Sequence, residues 1–501
     1  MSGSNEDFYT YKARKEAFVS NLKGTTRYEV VVVGMVFPAI FYLYRTLARY
    51  GFFPRDNLYH TFIKEFLLLV FVPIVCMTVL LDYTLHIIFS AIMLSILIQT
   101  CFTTNTQEVH EERLKSLKRT HLPFISIFRC GVMLYTCIAI LAVDFPAFPR
   151  RLAKTETFGT SLMDLGVGMF VFSGGLVSRV ARDCASINSG SGYSVATLNV
   201  YDEVKSTIIS IIPMFLLGFA RFATTKGVEY QEHTSEYGVH WNFFFTLAFL
   251  SLFSGALRPT LRYFNGARGI GPMASSSILF FIGLAVTMGH QYTLSVYRYQ
   301  EIVLGVNRSN IFLQNKEGIC SLVGFCALYF LAASIGSILM RRVLNNRDIV
   351  SEWIIRAGIV VIICALFWAS SSLGYNGYWP MDSRSATPSR RMANTAYVVW
   401  VVGHASGMLL GLLLVDILQP AIPNRIDSVI ANLVNKHQLK VFLLSNLCTG
   451  VVNISIKTLD VENEIAVLIL TSYMITVTFV GYIYTLRREK LSNFVGEDHD
   501  D

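Results

Sequence analysis

Thirteen stretches of mostly apolar residues, each long enough to cross a bilayer, run along this chain. A spanning helix takes about 20 such residues. The runs lie near 28–46, 64–81, 83–102, 124–144, 161–180, 206–225, 241–258, 271–291, 318–339, 353–374, 395–417, 439–457 and 464–486. Only Asp82 separates the second from the third. Hydrophobic residues make up 53% of the chain and charged residues 15%. A soluble domain carries roughly 25% charge, so this chain has too little to coat a water-exposed surface. The expected fold is therefore all-α: a polytopic integral membrane protein with about 13 transmembrane helices. A polar N-terminal segment (1–27) precedes a single multi-span membrane domain (28–486), and a charged tail comes after it (487–501).

Other composition signals fit that class. Nine cysteines are present, most inside apolar runs, with no CxxC and no Cys/His ligand spacing. The net charge of +8 comes without a long run of like charges. Nucleic-acid binding is not expected, and basic flanks of membrane spans account for the excess. No cleavable leader is visible before the first run, which is expected to remain as a span. Arg487, Arg488 and Lys490 come after the last run, whereas Lys457 stands alone in the loop before it. The positive-inside rule then puts the C-terminus in the cytoplasm and, with an odd span count, the N-terminus across the membrane.

Four loops, all expected on the non-cytoplasmic side, carry unusual polar residues. The first is LAVDFPAFPRRLAKTETFGTSLMDLGVG, residues 141–168. Asp144 ends one span and Asp164 begins the next, with Arg150, Arg151 and Lys154 between them. Charge at membrane depth is costly and points to function. Pro146 and Pro149 prevent a continuous helix. A carboxylate facing three cations suits a general base or a phosphate site; a structural salt bridge explains the same residues. The second loop, YQEHTSEYGVHWNFFF (230–245), holds His233, Glu236, His240 and Asn242. On a helix His233, Glu236 and His240 would share a face. A carboxylate that fixes an imidazole is one reading, and interfacial anchoring is the other. Metal binding lacks further convincing ligands, so no metal is expected. The third loop is LQNKEGI (313–319). The fourth, TPSRRMANTAYVVW (387–400), contains Arg390, Arg391 and Asn394. Paired arginines can grip a phosphate bidentately or merely flank a span.

Several motifs are absent or empty. SGSGYS at 189–194 lacks the GK[ST] of a phosphate loop. Neither a GxSxG elbow nor HExxH occurs. Asn307-Arg-Ser is a sequon in a loop expected on the lumenal side, whereas Asn453-Ile-Ser falls inside a span. His290, His404 and Asp416 read as interhelical hydrogen bonders.

These loops, together with RKEAFVSNLKGTT near the start and FLLSNLCTGVVN near the end, make the chain resemble the GPI-anchor inositol acyltransferases of fungi and animals. The resemblance runs from about residue 12 to about 486 and is poor over 103–120 and 181–204. It implies an endoplasmic reticulum enzyme of thirteen spans. Such an enzyme moves a fatty acyl group, usually palmitoyl, from acyl-CoA to the inositol ring of glucosaminyl-phosphatidylinositol. The family's catalytic Asp and Lys fall on Asp144 and Lys154. Arg150, Arg151, Asp164, His233, Glu236, His240, Asn242, Arg390, Arg391 and Asn394 become candidates for substrate binding. Leu152 stands where Phe is usual, and NKEGI where NREGI is usual. The expected partners are acyl-CoA as co-substrate, the glycolipid acceptor and membrane lipid, with no other cofactor. Attack of a hydroxyl on a thioester needs a base and a group to stabilise the oxyanion. No activated Ser or Cys is evident, so direct transfer is expected. The competing reading is a transporter or flippase for a lipid or anionic solute.

Overall fold

The computed structural model describes residues 11, 13–53, 58–102, 122–186, 200–227, 234–268, 272–341, 349–375, 387–419 and 428–479. Among the described residues the regular structure is helical throughout, with no strand. Eleven helices are long and apolar enough to cross a membrane. Each coincides with one of the apolar runs. The remaining two runs form Gln438–Ser455 and Asn463–Phe479. The first of these carries Lys440, Asn446 and Asn453 within its 18 residues. The second has 17 described residues. Thirteen apolar runs thus become helices, and eleven meet both length and hydropathy for a span.

Within the stretch expected as one domain, the chain forms two compact units. The first unit comprises residues 1–156, 161–163 and 408–501. Its helices are α1 (Arg27–Arg49), α2 (Tyr59–Met77), α3 (Thr84–Cys101) and α4 (Pro123–Ala142). The second unit comprises residues 157–160 and 164–407. It contains most of α5 (Leu162–Leu176), then α6 (Arg179–Ser186), α7 (Val200–Gly227), α8 (Phe243–Arg268), α9 (Pro272–Val296), α10 (Tyr299–Leu304), α11 (Lys316–Leu339) and α12 (Ile349–Tyr375). The helix α13 (Thr395–Leu418) begins in the second unit and ends in the first. The first unit is completed by α14 (Val429–Lys436), α15 (Gln438–Ser455) and α16 (Asn463–Phe479).

In the first unit α1 and α4 form the core. Phe37, Phe41 and Tyr44 of α1 are at most 1% exposed. A Cβ on Gly131 of α4 would lie 2.7 Å from the Phe37 ring, so glycine is what lets the two helices close up. Pro73 cannot donate a backbone hydrogen bond, and α2 widens into a π turn at Leu67–Phe71 just before it. Two buried polar sets fasten the ends of this unit. Asp416 accepts from Arg45 and from the Phe124 amide. Glu65 accepts from Tyr44, Ser428 and the Val429 and Ile430 amides, capping α14. By contrast α3 keeps large apolar side chains such as Phe89 and Leu97 outside, as a lipid-facing helix does.

In the second unit α11 is the buried pillar. Ser334 and Ser337 bond Ser276 of α9, and Gly336 lets the Leu176 carbonyl of α5 approach. The peripheral helices α7 and α12 expose Leu216, Phe219, Ile355 and Leu366.

Candidate functional site

The candidate residues fall into two groups, one in each unit. In the first unit they sit on the chain that leaves α4. Asp144 N and Phe145 N bond back to Leu141 O and Ala142 O, closing the helix. Pro146 and Pro149 keep the loop out of a helix as far as the short turn Arg150–Leu152. Phe145, Phe148 and Leu152 are fully buried and pin the loop down.

Arg150 acts as a staple for this loop. Its Nη2 donates to Val143 O at 2.8 Å and Phe148 O at 2.9 Å, and its Nε to Phe148 O at 3.2 Å. Its guanidinium lies 3.9 Å from the centroid of the Phe18 ring. Burial pushes the Arg150 pKa down to about 10, a shift that nearby Asp144 opposes. Arg151 turns the other way, to Glu29 at 3.0 Å and to Asp82 at 2.8 Å. The lone charge dividing the second apolar run from the third therefore has a partner. Lys154 is exposed.

Asp144 itself is held by two residues that the loop does not contain. Asn453 Nδ2 donates to its Oδ2 at 2.7 Å. Lys15 Nζ lies 3.7 Å from its Oδ1 and donates to Asn453 Oδ1 at 2.8 Å. The Asp144 side chain is 16% exposed, so a ligand can reach it. The N-terminal segment is thus part of the site. Arg14 pairs with Asp460 at 2.7 Å, Leu459 N donates to Tyr11 Oη, and Asn21 N donates to Glu156. Sequence reasoning left Lys15 and Asn453 without roles. Their signals were the RKEAF and FLLSNLCTGVVN stretches.

In the second unit, residues of all four loops bond to one another. Gly159 N donates to Pro388 O, and Ser389 Oγ to Thr157 O. Arg390 is 7% exposed; its Nε lies 3.0 Å from Asp164 and its Nη1 3.0 Å from Glu236. Burial alone would lower its pKa. Glu236 and Asp164 more than offset that and hold the guanidinium charged. Arg390 is thus engaged by two carboxylates. Arg391 lies 3.4 Å from Glu317, which is fully buried and also takes Arg308 at 2.6 Å. Burial lowers the Arg391 pKa, with Glu317 opposing.

Glu236 and His240 do not share a helical face. Among the described residues the helix there runs over Thr234–Tyr237, and Gly238 adopts φ +111, which ends it. His233 lies outside the described residues. His240 instead packs on the NKEGI stretch: its Nε2 lies 3.1 Å from Gln314 Oε1, and its backbone N donates to Asn315 Oδ1. Asn242 Oδ1 accepts from Phe244 N, capping α8, while its Nδ2 donates to Gly218 O. Asn394 Oδ1 accepts from Ser389 N and Tyr397 N, capping α13. The side chains of Asn242 and Asn394 thus bond backbone groups.

His290 Nε2 bonds Met392 O at 2.8 Å and so ties α9 to the SRRMAN stretch. Beside it opens an apolar cavity of about 370 Å³, lined by His290, Tyr299, Ile319, Cys320 and Val323 among others. Among the described residues no group of three His, Cys, Asp or Glu is arranged to hold a metal.

Comparison with known proteins bears on the whole chain. The family model described as GWT1 matches residues 11–484. GPI-anchored wall transfer protein 1 of Gibberella zeae is 34% identical over 95% of this chain and 97% of its own length. The protein of that name from Schizosaccharomyces pombe is 32% identical over 94% and 97%. The phosphatidylinositol-glycan biosynthesis class W protein of Dictyostelium discoideum is also 32% identical, over 94% and 97%. With the match reaching from Tyr11 to beyond the described end of α16, the chain belongs to the GWT1 family, the inositol acyltransferases of GPI-anchor biosynthesis.

Proposed function

We propose that this chain transfers a fatty acyl group such as palmitoyl from acyl-CoA to an inositol hydroxyl of glucosaminyl-phosphatidylinositol in the endoplasmic reticulum membrane. The observation that carries the reading is Asp144: a partly exposed carboxylate at the end of a membrane helix, held in place from two sides. Asp144 takes the hydroxyl proton as the inositol oxygen attacks the thioester carbonyl. The new C–O bond forms, the C–S bond breaks, and the proton passes to the departing CoA thiolate. No oxidant, reductant or cofactor enters this balance. Lys154, exposed on the same loop, stabilises the oxyanion or a CoA phosphate. The Arg391–Glu317–Arg308 cluster offers positive charge to an anionic headgroup. Arg390, Asp164 and Glu236 act one step back, by holding that loop cluster together.

The N-terminus is lumenal and the C-terminus cytoplasmic in this reading, which rests on the basic residues after the last span. Incubating purified protein with labelled palmitoyl-CoA and a glucosaminyl-inositol lipid tests the reaction. A labelled acylated inositol lipid is expected. Absence of label in the lipid, with the protein folded, would overturn the donor or the acceptor.

A further inference from the structure

We propose that Lys15 and Asn453 are positioning residues that aim the Asp144 carboxylate at the acceptor hydroxyl. The inference rests on the reading of Asp144 as the base. Lysine has only donors to offer. Its hydrogen bond to Asn453 therefore fixes which way the amide faces: Oδ1 towards Lys15 and Nδ2 towards Asp144. The amide in turn occupies Asp144 Oδ2. Oδ1 faces Lys15 at 3.7 Å, beyond hydrogen-bond length, and remains the oxygen able to accept the hydroxyl proton. Asn453 thus selects the reactive oxygen, and Lys15 selects the rotamer of Asn453.

The surroundings hold this arrangement from three segments of the first unit. Arg150 staples the loop that presents Asp144. Asn453 lies in the last turn of α15 and is braced by its second bond, to Thr449 O at 3.2 Å. Lys15 is held by its neighbours: Arg14 to Asp460, and Tyr11 against Thr458 and Leu459. A sequon asparagine and a lysine of the polar N-terminal segment thereby acquire a common task. Misplacement of a reacting group by about 1 Å can cost about 100-fold in rate.

The test is a set of full-length variants, purified and assayed for kcat and KM with palmitoyl-CoA and the glucosaminyl-inositol lipid. Asn453→Ala and Lys15→Met are expected to lower kcat by about 10- to 100-fold, with KM for both substrates little changed. Lys15→Arg, which still donates to Asn453, is expected to recover most of the rate. Combined with Asp144→Asn, the Asn453→Ala change is expected to cost nothing further, because groups that act as a unit are non-additive. A purely structural asparagine would slow the double variant again, and that result overturns the proposal. So does an unchanged kcat in Lys15→Met, a partly exposed position where folding is not at stake. Asn453→Asp keeps the shape should Asn453→Ala fail to fold. It sets a second carboxylate against Asp144, and normal turnover in that variant also counts against the proposal. Full activity in Asp144→Asn removes the base reading itself, whereas a dead Asp144→Asn beside a normal Lys15→Met removes the positioning role alone.

Discussion

Asn453 donates its Nδ2 to Oδ2 of Asp144 at 2.7 Å, although 309 positions separate them in the chain. One residue ends α15 and the other lies just past α4, so the bond links two helix ends of the first unit. It gives a loop carboxylate a fixed direction. Arg150 reaches the same result for the backbone, tying the carbonyls of Val143 and Phe148 into one turn. Rigid placement of this kind is what a base at a membrane edge needs.

Asp144→Asn should cut acyl transfer by at least about 100-fold, the low end for removing a general base. Lys154→Ala should have an effect of similar size through the oxyanion or a CoA phosphate. Both proteins should accumulate normally, since neither side chain is deeply buried. Product formation per mole of folded protein is the measurement. Loss of the protein itself in Asp144→Asn would mark the contact with Asn453 as structural.

The helices were legible because hydropathy is local: each apolar run reads as a helix wherever it lies. The loops that matter were legible for the same reason, since Asp144, Glu236, Arg390 and Arg391 stand out at the ends of apolar runs. Pairing was not legible. Lys15 meets Asn453 across 438 positions, and nothing local distinguishes Lys15 from its neighbours Lys12 and Arg14. Nor did spacing alone show that Gly238 breaks the helical face assumed for Glu236 and His240. The two arginines of SRRMAN looked equivalent. Their partners separate them: one is locked between two carboxylates, and the other shares Glu317 with Arg308.

Arg390→Met should destabilise the second unit by about 3–5 kcal/mol, because it removes the guanidinium that bridges Asp164 and Glu236 inside a buried ion-pair cluster. Arg390→Lys should rescue only partly, since an ammonium lacks the fork that reaches two carboxylates. Adding Asp164→Asn to Arg390→Met should recover part of the loss. Thermal unfolding in detergent ranks the three. An Arg390→Met protein as stable as the parent would show that the ion pair contributes nothing.

Gly324 and Gly358 should respond oppositely to alanine. A Cβ on Gly324 would collide with the Ala393 carbonyl of the SRRMAN loop, where Ala393 already has φ +44. Forcing the two apart is expected to cost about 1–3 kcal/mol. Gly358, inside α12, has nothing within 4 Å of its Cβ position. There alanine should stabilise the helix by about 0.5–1 kcal/mol. Equal melting of the two variants would contradict the close packing of α11 on that loop.

The proposed orientation predicts protease accessibility in sealed microsomes. A tag after Asp501 should be digested from outside, and a tag beside Asn307 should be protected. Asn307 and Ser309 are exposed in their loop, so the sequon is open to a glycosyltransferase on the lumenal side. Protection of the C-terminal tag would reverse the orientation.

His240→Ala should weaken acyl transfer without abolishing it. The imidazole contributes one side-chain hydrogen bond, to Gln314, and an edge contact with Phe222 at 5.3 Å between centroids. The backbone bonds from Val239 to Gln314 O and from His240 to Asn315 Oδ1 survive the substitution, so the loop keeps its path. A typical hydrogen bond contributes about 1 kcal/mol, which corresponds to roughly a fivefold fall in kcat/KM. His240→Gln, able to bond Gln314, should lose less. His233→Ala is expected to show the same pattern of weakened placement. A His240→Ala enzyme as inactive as Asp144→Asn would transfer the role of base to the histidine.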